Sequence, residues 1–285
     1  MIKKIYTFGT SFTHGGGFEF GHISKEHSNL YKDIGEELSQ KNFSYPGQLQ
    51  KLLPNIEIID LSKSGYGNER IYRLASELIL SEDFNSDEVL FLIEFSYLGR
   101  MEFYSKILKE HFIVNYNSSM GNVEGYAVKY KVSPEEFDES IKKLPSFEYF
   151  QNFFNKSYDA KTTIKKMEFN ILKFLSFLHK RNVNFLITQH PILNKEISNI
   201  INFDEIEEKY MKILKGQMLD LCEIGSITKE THGKYSDGHL GFQANKYIAH
   251  SIHDELIHRK IIDGDKFNKS FKDFKKIYTN ILWLI

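Results

Sequence analysis

One cysteine, Cys222, stands in 285 residues. A lone thiol excludes an internal disulfide framework and a cysteine-ligated zinc site. It fits a reducing compartment. The sequence has no apolar run of about 18 residues, the length that a membrane-spanning helix needs. The apolar stretch after Lys3 and Lys4 is short and soon meets Thr10, Ser11 and Thr13. That pattern is no secretory leader, so the expectation is a cytoplasmic protein without a membrane span. Charge of one sign is missing too. Thirty-seven Lys and Arg against 38 Asp and Glu leave a net charge of −1. Nucleic acid and anionic membranes are recognised by a concentrated positive field, so neither is an expected partner. Internal repeats and low-complexity linkers are absent as well.

What is present is a folding composition. Hydrophobic residues make up 41% and charged residues 26%, enough to bury a core. The length suits one large domain or one domain with a sizeable insertion. Short apolar runs at 2–8, 56–61, 88–95 and 183–189 read as strands. Helix-period stretches fall at 45–53, 68–80, 162–181, 203–221 and 241–257. Ser44 is the expected N-cap of the first of these, with Pro46 in its first turn. The run EVLFLIEF is almost continuously apolar, as in a sheet covered on both faces. Such alternation predicts an α/β fold, a parallel sheet between helix layers. Two stretches depart from it. Residues 104–160 read as an insertion of irregular chain and two or three helices, rich in Tyr and Phe. Residues 265–285 read as an amphipathic helix. The expected division is a main domain over 1–257 and a helical extension over 258–285. The insertion and the extension are the candidate surfaces for a homodimer.

The chemistry-bearing residues cluster at predicted strand ends. The phrase IYTFGTSFTHGGG carries Ser11 just past the first strand. In open α/β sheets that rim hosts ligands. Ser11 there is either a nucleophile or a turn serine bonded to its own backbone. A phosphate loop fails on spacing and on the missing lysine, and GYGNER (65–70) lacks the third glycine of a dinucleotide fingerprint. No cofactor is expected. Near the far end, DGHLG sets Asp237 and His239 two apart ahead of a helix. A hydroxyl nucleophile needs a base, and the base needs an acceptor that fixes its tautomer. The same residues also suit a plain turn and a helix cap. His14, His190 and His239 have the residue type of metal ligands but no metal-site spacing, so no metal is expected. His190 follows the fourth predicted strand, where it suits either a surface turn or a place at the same rim.

Taken together, GTS after strand one, SGYGNERI after strand two, LIEFSYLGRMEF at strand three and DGHLG before the last helix resemble the SGNH hydrolases. This is the superfamily of GDSL-like esterases. The resemblance covers residues 2–100 and 183–257 and leaves out the insertion and the tail. It implies a three-layer α/β/α sandwich of flavodoxin-like order. It implies Ser11 as nucleophile, His239 as base and Asp237 as its orienter. The backbone N–H groups of Ser11 and Gly65 become the oxyanion donors. Asn68, Ser96, Arg100 and His190 become candidate substrate-binding residues, with capping of the helix or support of the loop as the alternative for the Asn68 amide. Thr10 replaces the aspartate of GDS, the pair is Asp-x-His, and the third motif offers Ser96 or Arg100 where an asparagine usually stands. Arg100 has an alternative use in an ion pair with Glu94 or Glu102. The activity implied is hydrolysis of a small acyl ester, with acetyl on a carbohydrate or glycan as the expected substrate, through an acyl-Ser11 intermediate. The alternatives are acyl transfer by the same triad and a binding module on a degenerate fold.

Overall fold

The computed structural model describes residues 1–15, 42, 44–96, 100–105, 110–117, 122–127, 152, 160–188, 242–258 and 260–262. Four strands build the central sheet: β1 (Lys4–Phe8), β2 (Glu57–Asp60), β3 (Val89–Ile93) and β7 (Asn184–Ile187). All are parallel, in the order β2-β1-β3-β7. Lys4 pairs with Val89 and Phe8 with Ile93, so β1 and β3 are in register along their whole length.

The alternating faces of β3 explain the layering. Val89, Phe91 and Ile93 point to one side. There they pack with Ile71, Ala75 and Ile79 of α3 (Asn68–Ile79) and Ile171, Phe174 and Leu178 of α4 (Ala160–Lys180). Leu90 and Leu92 point to the other side. They meet Tyr45 and Leu49 of α2 (Tyr45–Leu52) and Ile248, Ile252 and Leu256 of α5 (Phe242–His258). Every residue of β3 is buried. The expected three-layer arrangement, helices on both faces of a parallel sheet, is therefore present. Ser44 is the N-cap residue of α2, although its side chain makes no capping hydrogen bond.

The stretch after β3 opens with strands where the sequence reads as irregular chain, and nearly all of the residues expected to form the helices of the insertion lie outside the described residues. Its described part is an antiparallel meander, β4 (Arg100–Ser105), β5 (Glu110–Asn117) and β6 (Asn122–Ala127). Polar and apolar residues alternate in RMEFYS, and a period of two selects strand over helix. Arg100 consequently opens a strand. The expected helix at 203–221 and the tail at 265–285 lie outside the described residues.

In strand order, β1 stands between β2 and β3. The chain leaves β1 toward β2 on one side and returns to β3 on the other. That reversal is a topological switch point at the carboxyl ends of β1 and β3, the place where open α/β sheets bind ligands. Three loops converge there. Lys63 N–H donates to Gly9 O at 3.1 Å, Glu94 N–H to Phe8 O at 2.8 Å and Thr188 N–H to Ile93 O at 2.8 Å.

Candidate active site

Ser11 is the first residue of α1 (Ser11–His14), a single turn that follows β1 directly. Thr10 is its N-cap in extended conformation, and Gly15 ends it in the left-handed region with φ of 73°. Ser11 keeps 9% of its exposure, so little of it faces solvent.

Beneath this turn lies Glu94, one residue past β3 and 1% exposed. Its carboxylate accepts Thr10 Oγ1 at 3.0 Å, Thr10 N–H at 3.3 Å, Thr13 N–H at 3.0 Å and Thr13 Oγ1. Desolvating a carboxylate costs several kcal/mol, and such a group persists where donors surround it. Burial pushes its pKa up, while the four bonds act in the opposite direction. Gly9 leaves the room: a Cβ there would stand 2.7 Å from Glu94 Oε2.

The polar chain continues from Thr13. Its hydroxyl meets Tyr45 OH at 3.3 Å, and Tyr45 OH meets Thr188 Oγ1 at 3.4 Å. Tyr45 N–H, one of the unpaired amides at the start of α2, donates to Asn245 Oδ1 at 2.9 Å. Asn245 is fully buried in the first turns of α5. One connected set of hydrogen bonds thus joins β3, the Ser11 turn, α2, the end of β7 and α5. Burial pushes the Tyr45 hydroxyl far above its ordinary range, so it stays protonated.

The loop after β2 forms the neighbouring wall. Gly65 has φ of 82°, a conformation that glycine adopts without strain. Tyr66 beside it lies under two cations, Lys63 Nζ at 4.9 Å and the Arg70 guanidinium at 5.1 Å from its ring. Arg70 also donates to Leu61 O. His14 reaches this loop from the Ser11 side. Its Nδ1 is 3.6 Å from Asp60 Oδ2 and 3.5 Å from Ser62 Oγ. Asp60 is itself held by Thr7 Oγ1 at 2.7 Å and Ser62 N–H at 2.9 Å.

The structure sorts the site residues expected from the sequence. Ser11 and Gly65 stand on adjacent loops of one rim. Asn68 and Ser96 are buried and bonded to each other: Asn68 Nδ2 donates to Ser96 O at 3.1 Å and Ser96 N–H donates to Asn68 Oδ1 at 2.7 Å. Ser96 Oγ donates to Tyr66 O at 2.7 Å. These two residues brace the loops. Arg100 approaches Ser96 Oγ at 3.5 Å. The acids weighed as its partners are engaged elsewhere. Glu94 serves the threonines, and Glu102 takes Arg73 at 2.9 Å and His111 at 3.5 Å. Asp237, His239 and His190 lie outside the described residues.

Sequence reasoning had not singled out the Glu94–Thr13–Tyr45–Asn245 chain or the His14–Asp60 pair. The available signal for Glu94 was a single acid closing an otherwise apolar strand, VLFLIE.

No family profile matches the chain, and no curated protein matches it. Among solved structures it is similar to the psychrotrophic esterase EstA from Pseudoalteromonas sp., at 12% identity and a TM-score of 0.47. That match covers 91% of this chain and 100% of the other. It is similar to TesA at 11% identity and a TM-score of 0.43, over 89% and 98% of the two chains. Phospholipase A1 from Streptomyces albidoflavus NA297 is similar at 10% identity and a TM-score of 0.41, over 86% and 95%. At such values the likenesses carry no argument about the site, which rests on the chain's own residues.

Proposed function

We propose that the chain is a serine ester hydrolase of the SGNH type. The observation that supports this most is the setting of Ser11. It opens a helical turn at the carboxyl ends of β1 and β3, on a buried carboxylate mount, beside a glycine loop bonded to Gly9. In this reading Ser11 Oγ attacks the ester carbonyl, and His239 takes the hydroxyl proton. The N–H groups of Ser11 and Gly65 receive the oxyanion. The alcohol leaves with the proton from His239, giving an acyl-Ser11 ester. Water, deprotonated by His239, then releases the acid and regenerates Ser11. Asp237 holds the imidazole and stabilises its charged form. The acyl group proposed is acetyl, carried on a carbohydrate. Arg100, at the start of β4, is proposed to face the alcohol portion of the substrate.

Ser11→Ala tests the reading. The variant is expected to lose hydrolysis of p-nitrophenyl acetate and covalent labelling by a fluorophosphonate, with an unchanged circular dichroism spectrum. Labelling that persists in the variant removes Ser11 from the role.

A further inference from the structure

The proposed reaction uses no group from the end of β3. Yet Glu94 takes four hydrogen bonds there, all from Thr10, just before Ser11, and Thr13, two residues after it. Two of the donors are backbone amides. Holding Thr10 N–H and Thr13 N–H restrains the backbone between them, and with it the direction of the Ser11 Cα–Cβ bond and of Ser11 N–H. Acyl transfer is sensitive to that direction. An oxyanion donor acts at about 3 Å, and a displacement of about 1 Å costs on the order of 10²-fold in rate.

The partners of Glu94 lie far away in sequence, 84 and 81 residues toward the N-terminus. The bond network therefore locks together two strands and the turn between them. From Thr13 it runs on through Tyr45 to Asn245. Asn245 is six residues after His239 in the sequence, on the helix that the Asp237–His239 stretch enters.

We propose that Glu94 is a positioning residue for this reaction: its carboxylate sets the Ser11 turn and, through Thr13 and Tyr45, seats that turn against α5. The proposal rests on the reading of Ser11 as nucleophile. It accounts for Thr10 standing where the family pattern has an aspartate. The carboxylate comes from the neighbouring strand, and Thr10 turns its hydroxyl and its amide toward it. It accounts for Gly9 as well, since a side chain there collides first with the Thr13 hydroxyl and then with the carboxylate that holds it.

Two substitutions separate positioning from bulk stability. Glu94→Leu fills the space but leaves Thr10 N–H and Thr13 N–H without an acceptor. Glu94→Gln keeps an amide oxygen for those donors and offers its NH2 to Thr10 Oγ1, which can accept. Glu94→Leu is expected to slow Ser11 phosphonylation and kcat on p-nitrophenyl acetate about 100-fold, with KM within about threefold. Glu94→Gln should recover to within about tenfold of the parent, because an amide oxygen replaces the carboxylate oxygen with a weaker acceptor. Hydrogen exchange at the Thr10 and Thr13 amides should accelerate in the Leu variant and return close to the parent rate in the Gln variant. If the Leu variant does not fold, Thr13→Val removes one donor and the link to Tyr45 together, with an expected loss of about tenfold. Parent-like rates per folded molecule in the Leu or Val variant overturn the proposal, as does unchanged amide exchange. A parent protein unlabelled at Ser11 overturns the nucleophile reading instead. The exchange measurement still reports what Glu94 holds.

Discussion

Asn68 and Ser96 hold each other by two hydrogen bonds, side-chain amide to backbone, at 3.1 and 2.7 Å. Asn68 begins α3 after the Gly65 loop, and Ser96 follows β3 and Glu94. The pair therefore pins the loop proposed to hold the oxyanion to the strand end that carries the Ser11 mount.

Asn68→Ala should destabilise the fold by about 2 kcal/mol, because it leaves the buried Ser96 N–H without a partner. Ser96→Ala removes the hydroxyl bond to Tyr66 O and the long contact from Arg100, leaves the backbone pairing with Asn68 in place, and should cost about 1 kcal/mol. Urea unfolding midpoints measure both. Equal costs, or none for Asn68, would mean that the loops are held by packing alone.

The layering of the fold was legible because β3 is apolar throughout and the helices carry apolar residues every three to four positions. Ser44 and Pro46 marked the start of α2 for a local reason, since capping needs only neighbours in sequence. The meander is not legible because residues 104–160 lack a sustained alternation and read as irregular chain, whereas in the fold Met101 and Phe103 alternate with Glu102 and Tyr104 along β4. Ser11 and Gly65 were legible from glycine-rich turns after strands. The role of Glu94 was not, because its meaning lies in partners more than 80 residues away. Asn68 shows the same limit. Its residue type suits substrate binding or support of the loop, and only the fold supplies Ser96 as the partner.

The assignment of the base can be separated from a nearby competitor. His14 stands three residues after Ser11, with its Nδ1 turned to Asp60 and Ser62. It is a histidine with a carboxylate partner in reach of the same rim. If His239 is the base, His239→Ala should abolish turnover and Asp237→Asn should lower kcat by about 10⁴. Ser236→Ala and His14→Ala should then keep most of the activity. Steady-state kinetics on one neutral ester decides the matter. A loss concentrated in His14→Ala and Asp60→Asn would transfer the base to the first turn.

The last prediction concerns Glu69, in the first turn of α3 beside the proposed oxyanion loop. Burial is the main cause that pushes its carboxyl up to about 7, and the nearby carboxylate of Glu102 adds to the effect. Lys166 and backbone amides act in the opposite direction. Its Oε2 is buried and has no hydrogen-bond partner among the described residues. An acid whose pKa is higher in the folded chain than in the unfolded one favours folding while it is protonated. Its contribution is fully present below the unfolded value of 4.5 and is lost as the pH rises toward about 7. The part of the stability curve due to Glu69 should therefore fall between those values and level off above them. Allowing for the solvent that reaches this half-buried side chain, the fall is about 2 kcal/mol. Glu69→Gln mimics the protonated acid at every pH. It should match the parent near pH 4.5 and exceed it by about 2 kcal/mol at pH 8 in urea unfolding. Parent and variant curves that run parallel across this range would show that Glu69 titrates as an ordinary surface acid. A crossing in the opposite sense would mean that the charged form is the one the fold stabilises, with Lys166 outweighing burial.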